Sequence, residues 1–224
     1  MGDDDDAVAG APAGFLRIAM VSNFFYPRLG GVEMHIWSLS QRLIALGHKV
    51  IVVTHEQRGR RPGSRRVGVR VMYGGLKVYY LPYYPIVPGG VTLITFQAVL
   101  PLLRHIFLRE GIDVVHGHAV TSALACEGMA TAALLDVAAV YTDHSLYGLD
   151  DPGGLHLSAS SGFVLRTCVR AALCVSHACA ENLCLRAGLH PAGVGGPRVL
   201  VLPNAVDASR FPPRDDGPPS DPAG

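Results

Sequence analysis

The sequence predicts an α/β fold in which a doubly wound, Rossmann-like parallel sheet carries helices on both faces. The first observation is that short apolar segments alternate along the chain with segments whose apolar residues recur at helical spacing. The second is the composition, since 49% of the 224 residues are hydrophobic and only 17% are charged. This is enough apolar material for one substantial packed domain.

The first three predicted elements form a β-α-β unit. An apolar strand is predicted at Leu16–Val21, and the β-branched run Lys49–Thr54 is typical of a strand buried on both faces of a parallel sheet. Between them, apolar residues recur at intervals of four and three, which places them along one face of a helix. These residues are Val32, Ile36, Leu39, Leu43 and Leu46.

The same alternation continues along the chain. Further strands are predicted at Leu76–Leu81, Ile112–Val115, Ala138–Tyr141, Ala172–Val175 and Arg198–Leu202. Further helices are predicted at Leu93–Arg109, Val120–Leu135, Phe163–Arg170 and His177–Ala187. Because a doubly wound sheet binds its ligands at the carboxyl ends of the strands, the residues that follow each strand are the candidates for a site.

The domain is predicted to span residues 15–207, between two polar ends. Residues 1–14 contain four consecutive aspartates among Ala, Gly and Pro, and are expected to form a disordered acidic leader. An acidic start is the opposite of the basic start of a signal peptide, so secretion is not expected. Residues 208–224 are proline-rich and are expected to be a linker or tail.

Charge and cysteine usage exclude several classes of protein. The formal net charge of +1 gives no reason to expect nucleic-acid binding. The five cysteines are odd in number and lack CxxC spacing, which favours reduced thiols over a disulfide framework or a zinc site. The uncharged stretch Leu81–Leu103 is interrupted by prolines and glycines, so no membrane span is predicted there.

A glycine-containing loop joins the first strand to the first helix. Gly30 and Gly31 precede the apolar stripe, where a helix N-terminus presents unpaired N–H groups and the positive end of the helix dipole. Such an arrangement binds phosphate, and glycine lets a ligand approach the backbone. Two glycines also form an ordinary strand-to-helix turn. The loop lacks GxGxxG, which disfavours a dinucleotide-dependent oxidoreductase.

Polar residues follow two further predicted strands. His116 and His118 come after Ile112–Val115, and Asp143 and His144 come after Ala138–Tyr141. A histidine at this edge of the sheet donates or accepts a hydrogen bond near neutral pH. The HxH string has no carboxylate or cysteine companion at ligand spacing, so no metal is expected. Asp143 either orients His144 or caps the following turn.

A basic segment lies between Arg58 and Lys77. Each positive charge close to an anionic membrane contributes about 1 kcal/mol to membrane binding. This segment is therefore predicted to contact anionic lipid headgroups. The alternative is a solvated insertion. The arginines assigned to the headgroup contact are Arg60, Arg61, Arg65 and Arg66.

Several strings together resemble a known family, the PIG-A type catalytic subunit of phosphatidylinositol N-acetylglucosaminyltransferase. The family has the GT-B fold of retaining glycosyltransferases, and the similarity covers Arg17–Phe211, within its N-terminal domain. The strings are MVSNFFYPRLGGVEMHI (Met20–Ile36), GHKVIVVTH (Gly47–His55), GLKVYYLP (Gly75–Pro82), PLLRHIFLRE (Pro101–Glu110), VVHGH (Val114–His118), YTDHSLYG (Tyr141–Gly148) and LPNAVD (Leu202–Asp207).

The resemblance implies an enzyme on the cytosolic face of the endoplasmic reticulum membrane. It would transfer N-acetylglucosamine from UDP-N-acetylglucosamine to phosphatidylinositol, the first step of glycosylphosphatidylinositol (GPI)-anchor biosynthesis, without a metal or other cofactor. In such folds the N-terminal domain mainly holds the acceptor and a C-terminal domain holds the nucleotide sugar. The C-terminal donor domain is expected to be absent from this chain, so the chain is expected to be inactive alone. The resemblance also implies partner subunits in a membrane complex.

The resemblance also implies roles for individual residues. Gly30 and Gly31 are expected to place N–H donors against the diphosphate of the donor. His144 is expected to be catalytic, beside the sugar or the acceptor hydroxyl. His116, His118 and Asp143 are expected on the acceptor side.

Two other functions remain open from the sequence. The chain could be a non-catalytic half-domain that binds phosphatidylinositol or partner subunits. It could also belong to a glycosyltransferase of the same superfamily that acts on another lipid or polyol, because the fold does not determine the acceptor.

Overall fold

A computed structural model describes residues 14–58, 65–82, 96–148 and 152–205. Within those ranges the chain forms ten strands and five α-helices. In chain order these are β1 (Arg17–Val21), α1 (Gly31–Ala45), β2 (Lys49–His55), β3 (Gln57–Arg58), β4 (Arg65–Arg66), β5 (Gly68–Val71), β6 (Lys77–Leu81), α2 (Phe96–Glu110), β7 (Val114–His118), α3 (Ala123–Leu134), β8 (Ala138–Asp143), α4 (Pro152–Cys168), β9 (Ala171–Cys174), α5 (His177–Ala187) and β10 (Arg198–Val201).

Eight strands form one sheet in the order β10-β9-β8-β7-β1-β2-β6-β5. All neighbours pair in parallel except β5 and β6, which are antiparallel, so the predicted doubly wound Rossmann-like sheet is confirmed with one antiparallel edge strand added. The strand order reverses between β1 and β7. A doubly wound sheet binds its ligands at the carboxyl side of that reversal.

The core has two halves, one on each face of the sheet. Along β1, Ala19 and Val21 face one half and Ile18 and Met20 face the other, as the alternation of side chains in a strand requires. The helix α1 packs on the Ile18 and Met20 face through Ile36. The helices α2 to α5 supply the buried side chains of the other half, among them Leu103, Leu124, Leu165 and Leu183.

The helix α3 lies unusually close to the sheet at two glycines. A Cβ atom added to Gly128 would lie 3.0 Å from Cγ1 of Val21, and one added to Gly117 would lie 2.9 Å from Sδ of Met129. Both distances are too short for unaltered packing. Glycine at these positions therefore sets how closely α3 approaches β1 and β7.

A buried carboxylate lies at the amino edge of the sheet, where the parallel strands begin. Glu110 accepts hydrogen bonds from Lys77 Nζ at 2.8 Å and from the Tyr79 hydroxyl, and its other oxygen lies 2.9 Å from Lys49 Nζ. Burial alone would raise the pKa of Glu110, but these hydrogen bonds outweigh burial and lower it to about 2. The carboxylate thus ties the end of α2 to β2 and β6.

Several predicted element boundaries were wrong. The strand β7 continues to His118, and β8 continues to Asp143. Both strands extend further than predicted because His116, His118 and Asp143 are buried side chains within the sheet and do not begin a loop. The helix α4 starts at Pro152 instead of Phe163. Its first half is rich in Gly and Ser and does not show apolar residues recurring at helical spacing, so it was not predicted. The short strands β3, β4 and β5 were not predicted.

None of the helices in the described ranges combines the length and the apolar composition needed to cross a membrane. All five cysteines lie in described parts of the chain, and none is paired in a disulfide.

Candidate functional site at the carboxyl edge of the sheet

Four histidines meet at the carboxyl edge of the sheet, beside the reversal of strand order. His116 and His118 come from β7, and His144 follows the last residue of β8. The fourth, His35, comes from the second turn of α1. We call these residues the histidine cluster.

The cluster is a continuous row of contacts that begins in the interior. His116 Nε2 lies 2.7 Å from Thr142 Oγ1, and the His116 and His118 rings have centroids 4.1 Å apart. His118 Nδ1 then lies 3.3 Å from His144 Nε2. The His35 ring meets the His144 ring edge-on, with a centroid distance of 4.7 Å. The row thus connects a buried threonine to two half-buried imidazoles at the rim.

Burial keeps the cluster uncharged at neutral pH. Loss of hydration, with a smaller contribution from neighbouring imidazoles, lowers the pKa of His116 to about 3 and the pKa of His144 to about 4. The same causes lower the pKa of His118, which is fully buried, and burial lowers the pKa of His35. Neutral imidazoles present one donor and one acceptor nitrogen each, so the row can accept or donate a hydrogen bond at the rim.

His35 was not predicted from the sequence, although a signal for it exists. It lies three residues after Val32 and four before Leu39, which places it next to the apolar stripe of α1 and therefore facing the sheet. Its Nδ1 lies 3.1 Å from Oδ1 of Asn204, which follows β10. Asn204 therefore connects the segment that follows β10 to the site.

Asp143 is held by an ion pair beneath the cluster. Its carboxylate accepts a hydrogen bond from Nη2 of Arg186 in α5, and both side chains are almost fully withdrawn from solvent. Its other oxygen accepts bonds from the Tyr141 hydroxyl at 3.2 Å and from the His144 amide at 3.0 Å. Burial raises the pKa of Asp143, and the Arg186 guanidinium opposes that rise.

The loop that carries His144 is tied to α5 by a second contact. Asn182 Oδ1 accepts a hydrogen bond from the Tyr147 amide at 3.2 Å, and Asn182 Nδ2 donates one to the Tyr147 carbonyl at 2.9 Å. Asn182 Oδ1 also accepts from Arg186 Nε at 2.8 Å. Arg186 and Asn182 therefore hold the loop at both ends, and His144 lies between those two attachments.

The helix α1 begins at the predicted glycines without a side-chain cap. Its N-cap residue Gly30 is extended, with φ of −162°, and glycine has no side chain that could accept a hydrogen bond from the first turn. By contrast, Ser122 caps α3 and Ser176 caps α5. Among the α-helices whose N-cap residue is described, α1 alone lacks a capping side chain on that residue.

The two glycines differ in the space around them. A Cβ at Gly30 would lie 2.6 Å from the carboxylate of Glu33, whereas a Cβ at Gly31 has no atom within 4 Å. Gly30 is extended, so its backbone does not require glycine, and a Cβ there would displace the end of the Glu33 side chain. Gly31 thus faces open space at the start of α1, the helix that carries His35.

A buried asparagine connects the glycine loop to α3. The side-chain oxygen Oδ1 of Asn23 accepts hydrogen bonds from the Ser122 hydroxyl and the Leu124 backbone amide, each at 3.1 Å. The backbone amide of Asn23 donates a hydrogen bond to Ser122 Oγ at 2.8 Å. Sequence analysis did not identify Asn23 as a site residue. This network positions the loop between β1 and α1 across the reversal of strand order.

The predicted headgroup arginines are only partly described. Arg60 and Arg61 lie outside the described residues. Arg65 pairs with the Glu56 carboxylate, and the Arg66 guanidinium lies 4.9 Å from the centre of the Tyr26 ring. Beside them, apolar side chains are exposed at every second position along the edge strand β5 and the residues that flank it. These are Val69 and Val71 in β5, Val67 before it and Tyr73 after it.

Solved structures that share this fold include a glycosyltransferase and a sucrose-phosphate synthase. The chain superimposes on a glycosyltransferase from Rickettsia africae ESF-5 with a TM-score of 0.62 and 16% identity, covering 92% of this chain and 47% of that one. For sucrose-phosphate synthase from Thermosynechococcus elongatus the TM-score is 0.59 at 14% identity, covering 88% and 50%. The chain thus has the fold of one Rossmann-like half of a GT-B glycosyltransferase.

The sequence comparisons identify a particular family within that class. Residues 62–151 match the family described as PIGA (GPI anchor biosynthesis). The chain is 46% identical over 206 residues to a phosphatidylinositol N-acetylglucosaminyltransferase subunit from Arabidopsis thaliana, covering 92% of this chain and 43% of that protein. It is 43% identical over 197 residues to the human protein of the same name, covering 88% and 38%. The predicted resemblance to this family is therefore confirmed, and the chain spans about two-fifths of the length of these relatives.

Proposed function

We propose that this chain supplies the acceptor-side half of a phosphatidylinositol N-acetylglucosaminyltransferase, which transfers N-acetylglucosamine from UDP-N-acetylglucosamine to phosphatidylinositol. This is the first step of GPI-anchor biosynthesis. The observation that carries the proposal is 46% identity, over 92% of this chain, to a protein named for that activity. The site at the carboxyl edge of the sheet supplies the polar groups that such a transfer requires.

The free N–H groups at the start of α1 are proposed to bind the diphosphate of the donor. A helix N-terminus favours an anion through its dipole and its unpaired donors, and the N-cap glycine of α1 has no side chain that competes for them. Stabilising the departing diphosphate lowers the barrier, because negative charge grows there as the glycosidic bond breaks. Gly30 and Gly31 do this without a metal ion, and the nucleotide is proposed to be held by a second Rossmann-like domain.

His144 is proposed to contact the reacting sugar or the acceptor hydroxyl. Its imidazole is half-buried at the rim and neutral, and it contacts His118 below it and His35 beside it. His116 and His118 are proposed to support the acceptor side from beneath. Asp143 is proposed to act mainly as a positioning residue, because its carboxylate is bound to Arg186 and to the His144 amide.

The antiparallel edge of the sheet is proposed to face the membrane that contains phosphatidylinositol. Val71 and Tyr73 are 70% and 89% exposed at the end of its apolar row. The sequence has no acidic residue between Glu56 and Glu110, so the arginines of this region, Arg60 and Arg61 included, give it a positive charge. Apolar side chains flanked by arginines fit an anionic bilayer surface. We propose the cytosolic face of the endoplasmic reticulum, within a multi-subunit complex.

A chimeric enzyme tests this function. The matching 206-residue region of the Arabidopsis thaliana relative is replaced by this chain, and the transfer of labelled N-acetylglucosamine to phosphatidylinositol is measured in membranes from cells lacking their own copy of that protein. We expect activity, and we expect His144→Ala to reduce kcat/KM at least a hundredfold. His105→Ala, at an exposed position on α2, is the matched control and should leave the rate unchanged.

The same assay separates the other candidate functions. A chimera that is folded and inserted but inactive, while the purified chain still binds phosphatidylinositol vesicles, would indicate a non-catalytic binding module. A chimera that glycosylates a different lipid or polyol would indicate another acceptor. Either result would overturn the proposed function.

A further inference from the structure

We infer that His35, His118 and His144 form a binding site for a divalent transition-metal ion of the zinc class. The proposed ion is a ligand of the free cleft and takes no part in the transfer reaction. It would occupy the same polar rim that the acceptor is proposed to use.

The three residues converge on one point. One ring nitrogen from each histidine lies within 4.8 Å of the corresponding atoms of the other two. The closest pair, His118 Nδ1 and His144 Nε2, is 3.3 Å apart. Zinc–nitrogen bonds of about 2.0–2.1 Å in a tetrahedron place neighbouring ligand atoms about 3.3–3.4 Å apart. That pair is therefore already at ligand spacing, and His35 completes the group within 4.8 Å.

The chemistry of the donor set also fits this class of metal. Neutral imidazole is a preferred ligand of zinc, copper and nickel, whereas magnesium and calcium prefer oxygen ligands. No carboxylate belongs to this group of three residues. Three protein ligands leave a fourth position for water, as in open zinc sites.

The surroundings hold the ligands in place from three separate parts of the chain. Asn204 Oδ1 contacts His35 Nδ1, which fixes the orientation of that ring. The His144 loop is fixed by Asn182 and by the bond from its own amide to Asp143. Hydrogen bonds of this kind orient metal ligands in known sites. His35 and His144 are half-buried, which leaves the ion a path from solvent.

Zinc binding to the purified, metal-free 224-residue chain tests the inference. Zinc is titrated by calorimetry into the wild type and into His35→Ala, His144→Ala and His105→Ala, and each variant is first checked for folding by circular dichroism. Cobalt(II) then serves as a spectroscopic probe, because thiolate ligands produce an intense charge-transfer band that imidazoles do not. His118 is left intact, since its full burial makes its loss a threat to folding.

We expect one equivalent of zinc, an affinity at least tenfold weaker in both His35→Ala and His144→Ala, and an affinity within twofold of the wild type in His105→Ala. The cobalt form is expected to lack a thiolate band. The inference is overturned if the wild type binds no zinc, if the two cluster variants bind as tightly as the wild type, or if cobalt reports thiolate ligands.

Discussion

Asp143 and Arg186 form an ion pair in which the two side chains are only 0% and 1% exposed. The pair joins the last residue of β8 to the last turn of α5, and the next residue after Asp143 is the proposed catalytic histidine. A guanidinium in the interior thus determines where the His144 loop starts. Arg186 also reaches Asn182, so one side chain organises both attachments of that loop.

Removing one partner of this ion pair is expected to destabilise the chain strongly. Arg186→Met leaves an unpaired buried carboxylate, which typically costs about 3–5 kcal/mol in the free energy of unfolding. The double variant Asp143→Leu with Arg186→Met removes both charges and should recover most of that loss. Urea unfolding of the three proteins measures the effect.

The matched control is the half-exposed pair Arg17–Asp113, whose side chains are 42% and 33% exposed. Arg17→Met should cost about 1 kcal/mol or less, because solvent already screens that pair. If Arg186→Met proves no more destabilising than Arg17→Met, the buried pair does not anchor the loop.

Gly31→Ala is expected to separate stability from binding. Because a Cβ at this position meets nothing within 4 Å, the change should raise the free energy of unfolding by up to about 1 kcal/mol. If the donor diphosphate packs on this backbone, the new methyl group blocks it, and transfer by the chimeric enzyme falls at least tenfold. Ser38→Ala, exposed on the same helix, should raise stability without loss of activity. Full activity in Gly31→Ala would refute the diphosphate site.

The pH dependence of stability is expected to report Glu110. Its pKa falls from 4.5 to about 2 on folding, so the stabilisation is fully present above about pH 4.5 and is lost as the pH falls towards 2. At 1.36 kcal/mol per pH unit, the difference in unfolding free energy between the wild type and Glu110→Gln should narrow by about 3 kcal/mol between pH 6 and pH 2.

Urea unfolding across that pH range provides the measurement, and Glu181→Gln, at an exposed position on α5, provides the control. If the difference for Glu110→Gln changes with pH no more than that for the control, the Lys49 and Lys77 contacts do not favour the ionised carboxylate.

The β5 edge is expected to bind phosphatidylinositol-containing vesicles. Val71→Asp should weaken sedimentation with such vesicles about tenfold, since burying a valine is worth about 1.5 kcal/mol. Leu185→Asp replaces a leucine that is 74% exposed on α5 and should have no effect. Equal loss in both variants would point to general unfolding, and no loss in Val71→Asp would rule out this edge.

Much of the architecture was predictable because continuous β-branched runs such as Lys49–Thr54 leave few alternatives to a buried parallel strand. The strand β5 was missed because Gly68–Val71 is short and exposed, and it is stabilised mainly by pairing with β6. The first half of α4 was missed because its Gly and Ser residues carry little local helix preference.

The site was predictable only where its residues follow strands. His144 and the glycine pair could be located from their positions relative to β8 and β1. His35 and Asn204 come from segments 169 residues apart, and only the folded chain brings their side chains together. Arg186 likewise looked like an ordinary charge near the end of a helix, and its burial depends on the distant Asp143.

The close packing of α3 has a consequence for genetics. Gly128 packs against Val21, the last residue of β1, and the same helix is capped by Ser122, which holds Asn23 and with it the glycine loop. An inherited alanine or valine at position 128 would push α3 away from β1 and shift the Ser122 contact to that loop. A ranking of missense variants by their distance from a bound ligand would miss this effect, because Gly128 acts on the glycine loop through Ser122 and Asn23.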